Sequence, residues 1–258
     1  MTIRSMDLNC DMGESFGAWT MGQDADVLAH VSSANIACGF HAGDPATMRR
    51  TVAAAVARGV AVGAHPSLPD LAGFGRREMR VSADETYALT LYQIGALAAM
   101  AHAAGTRLRH VKPHGALYNM AAKDPVLADA IAVAVRDFDR DLILVGLAGS
   151  ELPRAGERAG LAVAHEAFAD RRYESDGSLM ARGKDGAVID DIDAAVAQAI
   201  SIATRGEAES AAGALRIRAD TICVHGDRAD AAVFASRLRH ALENAGVVIA
   251  ALPARHRA

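Results

Sequence analysis

Acidic and amide side chains with the spacing of a catalytic cluster stand near the start of this sequence, in the stretch DLNCDMGE at residues 7–14. Alternation along a β-strand places Asp7, Asn9 and Asp11 on one face. Two like charges on one face are costly unless a cation, a proton or a substrate group compensates them. We therefore predict that these three residues and Glu14 belong to a site. The alternative is a solvated strand end whose Asn and Asp residues form turns.

Histidines and a lysine end three later segments that have the character of strands. His65 ends the third segment, Lys112 and His114 end the fourth, and His225 ends the last strong one. Imidazole suits proton transfer near neutral pH and metal binding, and a lysine on an inward strand face is costly without an anionic partner. One such histidine is usually a satisfied structural group, but three indicate a site. The predicted catalytic residues are Asp7, Asp11, Glu14, His65, Lys112, His114 and His225.

The loops that follow the strands carry candidate substrate-binding residues. Cys38 and His41 lie close together in a glycine-flanked loop, where the cysteine is either a nucleophile or, more commonly, a small buried side chain. Arginine pairs at 76–77 and 171–172 either hold a carboxylate or phosphoryl oxygen with their forked guanidinium groups or are ordinary solvated charges. The predicted substrate-binding residues are Asn9, Asn35, His41, Arg76, Asp170, Arg171 and Tyr173.

The elements that position these side chains alternate along the chain. Short β-prone runs are predicted at 3–10, 33–38, 60–65, 110–114, 142–147, 161–168 and 221–225, with a weaker run at 247–252. Capping residues predict helices that begin near 45, 83, 125, 192 and 231 and end near 58, 104, 137, 205 and 246. This repeated βα order predicts a parallel α/β sheet with right-handed crossovers.

A closed barrel is favoured over an open sheet because the unusual polar residues follow strand after strand. In a (β/α) barrel the carboxyl ends of the strands form one mouth, where reactive groups collect. An open sheet that binds a nucleotide usually has a glycine-rich phosphate turn after an early strand. Gly73-Phe74-Gly75 lacks the third glycine, and Gly183-Lys184 lacks the Walker spacing. We predict one α/β barrel domain over residues 1–258.

Composition limits the class of protein. Apolar residues make up 51% of the 258 residues, which supplies a sizeable core and excludes disorder. The net charge of −4 gives no global positive field for nucleic acid. Three cysteines cannot complete a disulfide framework, and neither a secretory signal nor an apolar stretch of bilayer length is evident. We predict a cytoplasmic protein that binds neither nucleic acid nor membranes.

Several sequence blocks in a fixed order resemble the LamB/YcsF family, and the resemblance runs nearly end to end. The blocks are DLNCDMGE (7–14), ANIACGFHAGDP (34–45), GAHPSLPDLAGFGRR (63–77), VKPHGALYN (111–119), EAFADRRY (166–173) and CVHGD (223–227). The resemblance implies a seven-stranded barrel of the glycoside hydrolase/deacetylase type. It also implies ATP-dependent opening of 5-oxoproline to L-glutamate, with ADP and phosphate formed, together with partner subunits B and C. Residues 187–219 carry no diagnostic block.

The implied chemistry assigns roles to the candidates. A lactam is an unactivated amide, and phosphorylation of its oxygen supplies a leaving group. Arg76 or Arg171 would hold the substrate carboxylate, Lys112 would stabilise oxyanion charge, and Asp11 with a histidine would activate water. Because no phosphate loop is present, we expect the partner subunits to handle most of the ATP and its Mg²⁺.

A distant likeness to metal-dependent sugar deacetylases implies a divalent metal at Asp11, His65 and His114. The same groups could instead form a hydrogen-bonded acid/base network without metal. Three functions therefore stay open: the oxoprolinase subunit, a free-standing metal-dependent amide or sugar deacetylase, and a noncatalytic carrier that only binds the lactam.

Overall fold

The computed structural model describes residues 4–210, 212–224 and 230–254, and its main feature is a parallel sheet that closes on itself. The strands are β1 (Arg4–Met12), β2 (Ser33–Ala37), β3 (Ala61–His65), β4 (His110–Val111), β5 (Ile143–Leu147), β6 (Ala162–Phe168), β7 (Glu207–Ser210), β8 (Gly213–Arg216), β9 (Thr221–Val224) and β10 (Val247–Ile249). The parallel order β1-β2-β3-β4-β5-β6-β9 returns to β1, whose Asp7 lies in register with Thr221. The predicted seven-stranded barrel is therefore confirmed.

Three of the described strands lie outside the closed ring. β10 pairs in parallel with the first residues of β1, next to the barrel. β7 and β8 form an antiparallel hairpin that the sequence analysis did not predict. Its strands have only four residues each and contain no β-branched or aromatic residue, so they lack the composition by which strands are recognised.

The helices cover the outside of the barrel. They are α1 (Asp24–Val27), α2 (Pro45–Ala57), α3 (Ala83–Ala103), α4 (Gly115–Ala121), α5 (Pro125–Phe138), α6 (Glu151–Arg158), α7 (Ile192–Arg205) and α8 (Ala231–Asn244). The Asp44 carboxylate accepts hydrogen bonds from two backbone N–H groups at the start of α2, and Ser82 with Glu85 forms a capping box at α3. The five predicted helices are confirmed to within two residues at each end.

The core lies between the barrel and its helices. Along β1, Leu8, Cys10 and Met12 are fully buried on the face opposite to Asp7 and Asn9. Each buried Leu or Met side chain stabilises the fold by about 1.5–3 kcal/mol. Apolar packing outside the barrel thus leaves the β1 side of the barrel interior to polar groups, while Ile143, Val145 and Ala164 form a small apolar cluster on β5 and β6.

All three cysteines, Cys10, Cys38 and Cys223, are free and buried. Burial raises the pKa of the Cys38 thiol to about 12, so it is a neutral packing group. Among the described residues, no helix is both long and apolar enough to span a bilayer.

Candidate active site

A cavity of about 700 Å³ opens at the carboxyl ends of the barrel strands. Four predicted catalytic residues from three strands or their ends line it: Asp11, His65, Lys112 and His114. Arg76 and Arg171, from the loops after β3 and β6, line it too. The predicted convergence of separate βα units in one pocket is therefore observed for these residues, whereas His225 lies outside the described residues.

The Lys112 ammonium forms several ion pairs and hydrogen bonds at the floor of the cavity. Its Nζ lies 2.7 Å from Glu166 Oε1 and 2.9 Å from Asp11 Oδ1, and it donates to Asn9 Oδ1 at 3.1 Å. Burial alone would lower the pKa of Lys112, but Asp11, Cys223 and Glu166 raise it well above its ordinary value. Lys112 is therefore a fixed buried cation between two carboxylates.

Glu166 and Tyr118 join this floor, although neither was among the predicted site residues. Glu166 is fully buried on β6, and the Tyr118 hydroxyl donates to Glu166 Oε2 at 2.6 Å. Burial raises the pKa of Tyr118 well above its ordinary value, so the phenol stays protonated. A glutamate inside a mostly apolar strand, AVAHEAF, was the signal that could have found it.

Asp11 connects the lysine to the histidines. Its Oδ1 accepts from Lys112 and from Asn35 Nδ2 at 2.8 Å, while its Oδ2 lies 3.2 Å from His65 Nε2. Burial opposes ionisation, but His65 and Lys112 hold the pKa of Asp11 well below its ordinary value. Asp11 is therefore an ionised carboxylate at neutral pH.

The tautomers of His65 and His114 follow from two backbone carbonyls. His65 Nδ1 lies 2.7 Å from the Lys112 carbonyl oxygen, and His114 Nε2 lies 2.9 Å from that of Phe74. Because a carbonyl only accepts, both of these nitrogens carry hydrogen. The other nitrogens, His65 Nε2 and His114 Nδ1, then present lone pairs to each other across 2.9 Å.

A glutamate and a third histidine complete this group. Glu14 Oε1 lies 3.5 Å from both His114 Nδ1 and His41 Nε2, and the His41 ring stacks on that of His114 with centroids 3.9 Å apart. Neither ring nitrogen of buried His41 has a hydrogen-bond partner. One donor atom from each of Glu14, His41, His65 and His114 lies within 4.8 Å of the others.

This donor set fits a cation. Two imidazole lone pairs and the carboxylates of Asp11 and Glu14 face one another, which is unfavourable without a shared proton or a metal ion. Burial and His65 lower the pKa of His114 to about 3, so His114 itself stays neutral at neutral pH. Carboxylate oxygen and neutral imidazole are ligands that zinc and related divalent metals accept.

A polar layer beneath the cavity supports these groups. Asn35 Nδ2 also donates to Asn9 Oδ1 at 2.7 Å, and its own Oδ1 lies 2.7 Å from His110 Nε2. A Cβ atom on Gly63 would come within 2.1 Å of the His110 ring, so this glycine makes room for the imidazole. The layer holds the Asn35 amide, and through it the Asp11 carboxylate, in one orientation.

Seven of the predicted site residues that the structure describes do not line the cavity, and three of these lie deeper in the protein. Asp7 is buried deeper in the barrel, where Ser32, Ser33 and Thr221 donate to its carboxylate at 2.6–2.7 Å. Tyr173 is fully buried, and its hydroxyl accepts from the Phe168 N–H at 2.8 Å. Asp170 is also buried, behind the cavity wall. The other four, Asn9, Glu14, Asn35 and His41, contact the cavity residues from behind.

The loop after β3 fixes the edge of the site. Phe74 has a positive φ of 55°, which is rare for a residue with a side chain and marks functional constraint. In this conformation its carbonyl faces His114, while the Arg76 guanidinium lies 4.9 Å from the Phe74 ring centroid. The strained turn thus positions one histidine and one cation at the mouth.

The sequence matches the profile of the LamB/YcsF family over residues 6–257. The chain belongs to this family. The LamB/YcsF relatives include the A subunit of 5-oxoprolinase from Tolumonas auensis, 59% identical over 251 residues that cover 97% of this chain and 100% of the relative.

Solved structures agree with this assignment. The lactam utilization protein from Thermus thermophilus superposes with a TM-score of 0.92 at 48% identity, over 96% of this chain and 100% of that one. A T48 deacetylase shares the fold alone, with a TM-score of 0.52 at 14% identity over 96% of this chain and 88% of that one. The expected deacetylase-type barrel of this LamB/YcsF member is thereby confirmed.

Proposed function

We propose that this chain is the A subunit of an ATP-dependent 5-oxoprolinase that hydrolyses 5-oxo-L-proline to L-glutamate, with ADP and phosphate formed, together with partner subunits B and C. The observation that carries the proposal is the buried Asp11–Lys112–Glu166 cluster at the floor of an open cavity. The full-length likeness to a protein named as the A subunit of 5-oxoprolinase supports it.

The cavity floor suits attack on a carbonyl group. The Lys112 ammonium is fixed before substrate arrives, so it can stabilise negative charge on the reacting oxygen without reorganisation. Asp11 is ionised and lies beside His65, so these two groups can accept a proton from attacking water. Arg76 or Arg171 would hold the substrate carboxylate from the cavity wall.

ATP and Mg²⁺ belong mainly to the partner subunits in this proposal. The sequence has no phosphate-binding loop of the Walker or dinucleotide type. We place the protein in the cytoplasm, where reducing conditions keep thiols such as its three free cysteines unpaired. The relatives carry the name of one lettered subunit of an enzyme, which agrees with a multi-subunit complex.

A divalent metal fits the residues that are present. We propose Glu14, His41, His65 and His114 as its ligands, with Asp11 in contact with His65, whereas the sequence analysis had grouped Asp11 with His65 and His114. When bound, such a metal would polarise a carbonyl oxygen and lower the pKa of a coordinated water.

That donor set also favours a second candidate function, a free-standing metal-dependent amide or sugar deacetylase. This alternative predicts hydrolysis without ATP or partner subunits and loss of activity on chelation. A noncatalytic lactam carrier is the third alternative, and it predicts normal turnover when Asp11 is replaced.

A coupled assay of ADP and glutamate, with and without the co-expressed partner subunits, tests the proposal. We expect 5-oxoproline-dependent release of both products only when all subunits are present. Steady ATP-coupled turnover by this chain alone would contradict the assignment of ATP handling to the partner subunits. ATP-independent hydrolysis of an N-acetyl substrate would favour the deacetylase.

A further inference from the structure

A path of three hydrogen bonds connects the buried carboxylate of Asp7 to the floor of the cavity. Thr221 Oγ1 lies 2.6 Å from Asp7 Oδ2, and Asn9 Nδ2 lies 2.7 Å from Thr221 Oγ1. Asn9 Oδ1 in turn lies 3.1 Å from Lys112 Nζ. Asp7, Asn9 and Thr221 are all buried, so bulk water does not compete for these bonds. Asp7 does not line the cavity, yet this path connects it to a lysine that does.

The direction of each hydrogen bond in this path follows from the groups at its two ends. The Lys112 ammonium can only donate, so the Asn9 atom that faces it is the oxygen, and the amide NH₂ group faces Thr221. The Thr221 hydroxyl has one hydrogen. Because its oxygen accepts from Asn9, that hydrogen is free to go to Asp7 Oδ2. Every bond therefore points from the cation toward the carboxylate, and hydrogen bonds aligned in this way strengthen one another.

Asp7 is suited to the acceptor end of the path. Ser32 and Ser33 each donate to its other oxygen, Oδ1, at 2.7 Å. Burial raises the pKa of Asp7 above its ordinary value, and the three hydroxyl donors limit that rise because they stabilise the ionised form. An ionised carboxylate only accepts hydrogen bonds. It therefore keeps the Thr221 hydrogen turned toward itself and the Thr221 lone pair turned toward Asn9.

Asn9 passes this orientation on to two donors that hold the Asp11 carboxylate. Its Oδ1 accepts from Asn35 Nδ2 at 2.7 Å as well as from Lys112. Asn35 and Lys112 both donate to one atom, Asp11 Oδ1, at 2.8 and 2.9 Å. If the Asn9 amide turned over, its NH₂ group would face two donors. The position of the Asn9 oxygen therefore determines where these two donors to Asp11 lie.

We propose that Asp7 is a positioning residue for Asp11 and Lys112. It acts on them through the hydrogen bonds of Thr221 and Asn9. This inference rests on the proposed function, in which Asp11 and Lys112 act on the lactam carbonyl. The sequence analysis placed Asp7 among the catalytic residues, whereas in the structure it lies deeper in the barrel and reaches the cavity only through other side chains. Loss of the path should therefore lower kcat and leave KM for 5-oxoproline unchanged.

Substitutions of Thr221 test the path, because they interrupt it between its two charged ends. Thr221→Val keeps the side-chain volume but can neither accept from Asn9 nor donate to Asp7, so kcat of the reconstituted complex should fall about 10–100-fold. Thr221→Ser restores the hydroxyl and should restore kcat. The matched control is Ser33→Ala: this hydroxyl is equally buried and also donates to Asp7, but no further hydrogen bond leads from it to the cavity. Both Thr221→Val and Ser33→Ala should lower the melting temperature, and only Thr221→Val should lower kcat.

The NMR signal of the Lys112 ammonium tests the same path without partner subunits. The chain has three lysines, of which Lys123 and Lys184 are exposed, so labelling of the lysine side-chain nitrogens in the full chain should give one slowly exchanging ammonium resonance, that of Lys112. We expect this resonance to shift and its protons to exchange faster in Thr221→Val, and to match the wild type in Ser33→Ala.

An unchanged Lys112 resonance or an unchanged kcat in Thr221→Val would overturn the inference, and so would an equal loss of kcat in Ser33→Ala. A wild-type complex without coupled turnover would instead contradict the proposed function. In that case the Lys112 resonance alone would decide whether Thr221 and Asn9 connect Asp7 to the lysine.

Discussion

The two sides of the cavity differ in how their charges are balanced. On the β1–β4 side, Asp11 and Lys112 find oppositely charged partners inside the protein. On the β5–β6 side, the hydrogen bonds of Arg171 go to backbone carbonyls, and Ser150 Oγ has no hydrogen bond. The first side is therefore organised before a ligand arrives, whereas the second keeps a buried cation that donates to backbone carbonyls. We therefore expect reaction chemistry on the first side and anion recognition on the second.

Removal of the central cation should have the largest effect on stability. Lys112→Met leaves Asp11 and Glu166 buried without their counter-ion, so we expect the free energy of unfolding to fall by about 3–5 kcal/mol. Urea unfolding measures this free energy. In the control Lys184→Met, the lost ion pair with Glu174 is exposed, and the change should stay under about 1 kcal/mol. Equal effects in the two variants would remove the distinction between a preorganised side and an open one.

Asp11→Asn tests whether the preorganised side performs chemistry. The amide keeps the size of the carboxylate but cannot accept a proton, so turnover in the reconstituted complex should fall by about 10²–10⁴-fold. Binding of 5-oxoproline, measured by calorimetry on the same preparation, should change little. If turnover survives, the chain is a carrier.

Metal removal tests the histidine cluster. A metal at 100 times its dissociation constant raises the free energy of unfolding by about 2.7 kcal/mol, so dialysis against a chelator should lower the melting temperature and added Zn²⁺ should restore it. His41→Asn should abolish this response and reduce the metal content of the purified protein. The exposed His102→Asn is the matched control. If the purified wild-type protein contains no metal and added Zn²⁺ does not change its melting temperature, the metal proposal is wrong. A shared proton would then be the cation between these groups.

Near neutral pH the polar layer under the preorganised side should give the smallest effect, a dependence of stability on pH. Burial and Lys112 lower the pKa of His110 from 6.5 to about 3. The folded state then binds fewer protons than the unfolded state between these values. The contribution of His110 to the free energy of unfolding is complete above pH 6.5. It falls as the pH is lowered toward 3, by at most about 1.4 kcal/mol per pH unit.

The variant His110→Gln should flatten that slope, because glutamine keeps a donor for Asn35 but does not titrate. Denaturant unfolding at several pH values, in chelator, measures the slope. A wild-type slope retained by the variant would show that His110 does not contribute.

Much of the fold could be predicted from sequence because its signals are local. The β-prone runs, the Asp-Pro helix starts and the capping box each depend on neighbouring residues. The strand predicted at 110–114 ends at Val111 in the structure, since Pro113 has no N–H for the ladder. The hairpin of β7 and β8 was missed because its strands are short and contain no β-branched or aromatic residue.

The location of the candidate site could be predicted from sequence, but the contacts between its side chains could be predicted only in part. Strand ends identified Asp11, His65, Lys112 and His114, because a parallel barrel brings these ends together. The partnership of Lys112 with Glu166 joins strands far apart in sequence, and no local pattern encodes it. Tyr173 follows a strand as the site residues do, yet its hydroxyl turns to the backbone of its own chain segment. Position after a strand therefore indicates the mouth but not the direction of the side chain.

Gly63 shows how far the chemistry depends on a residue that takes no part in it. A methyl group there would occupy the space of the His110 imidazole, and that ring is the support against which Asn35, and then Asp11, are aligned. An alanine at this position would therefore shift the His110 ring, and through His110 and Asn35 it would change the orientation of the Asp11 carboxylate. Such a variant would keep every reactive group and still lose the geometry that makes them useful.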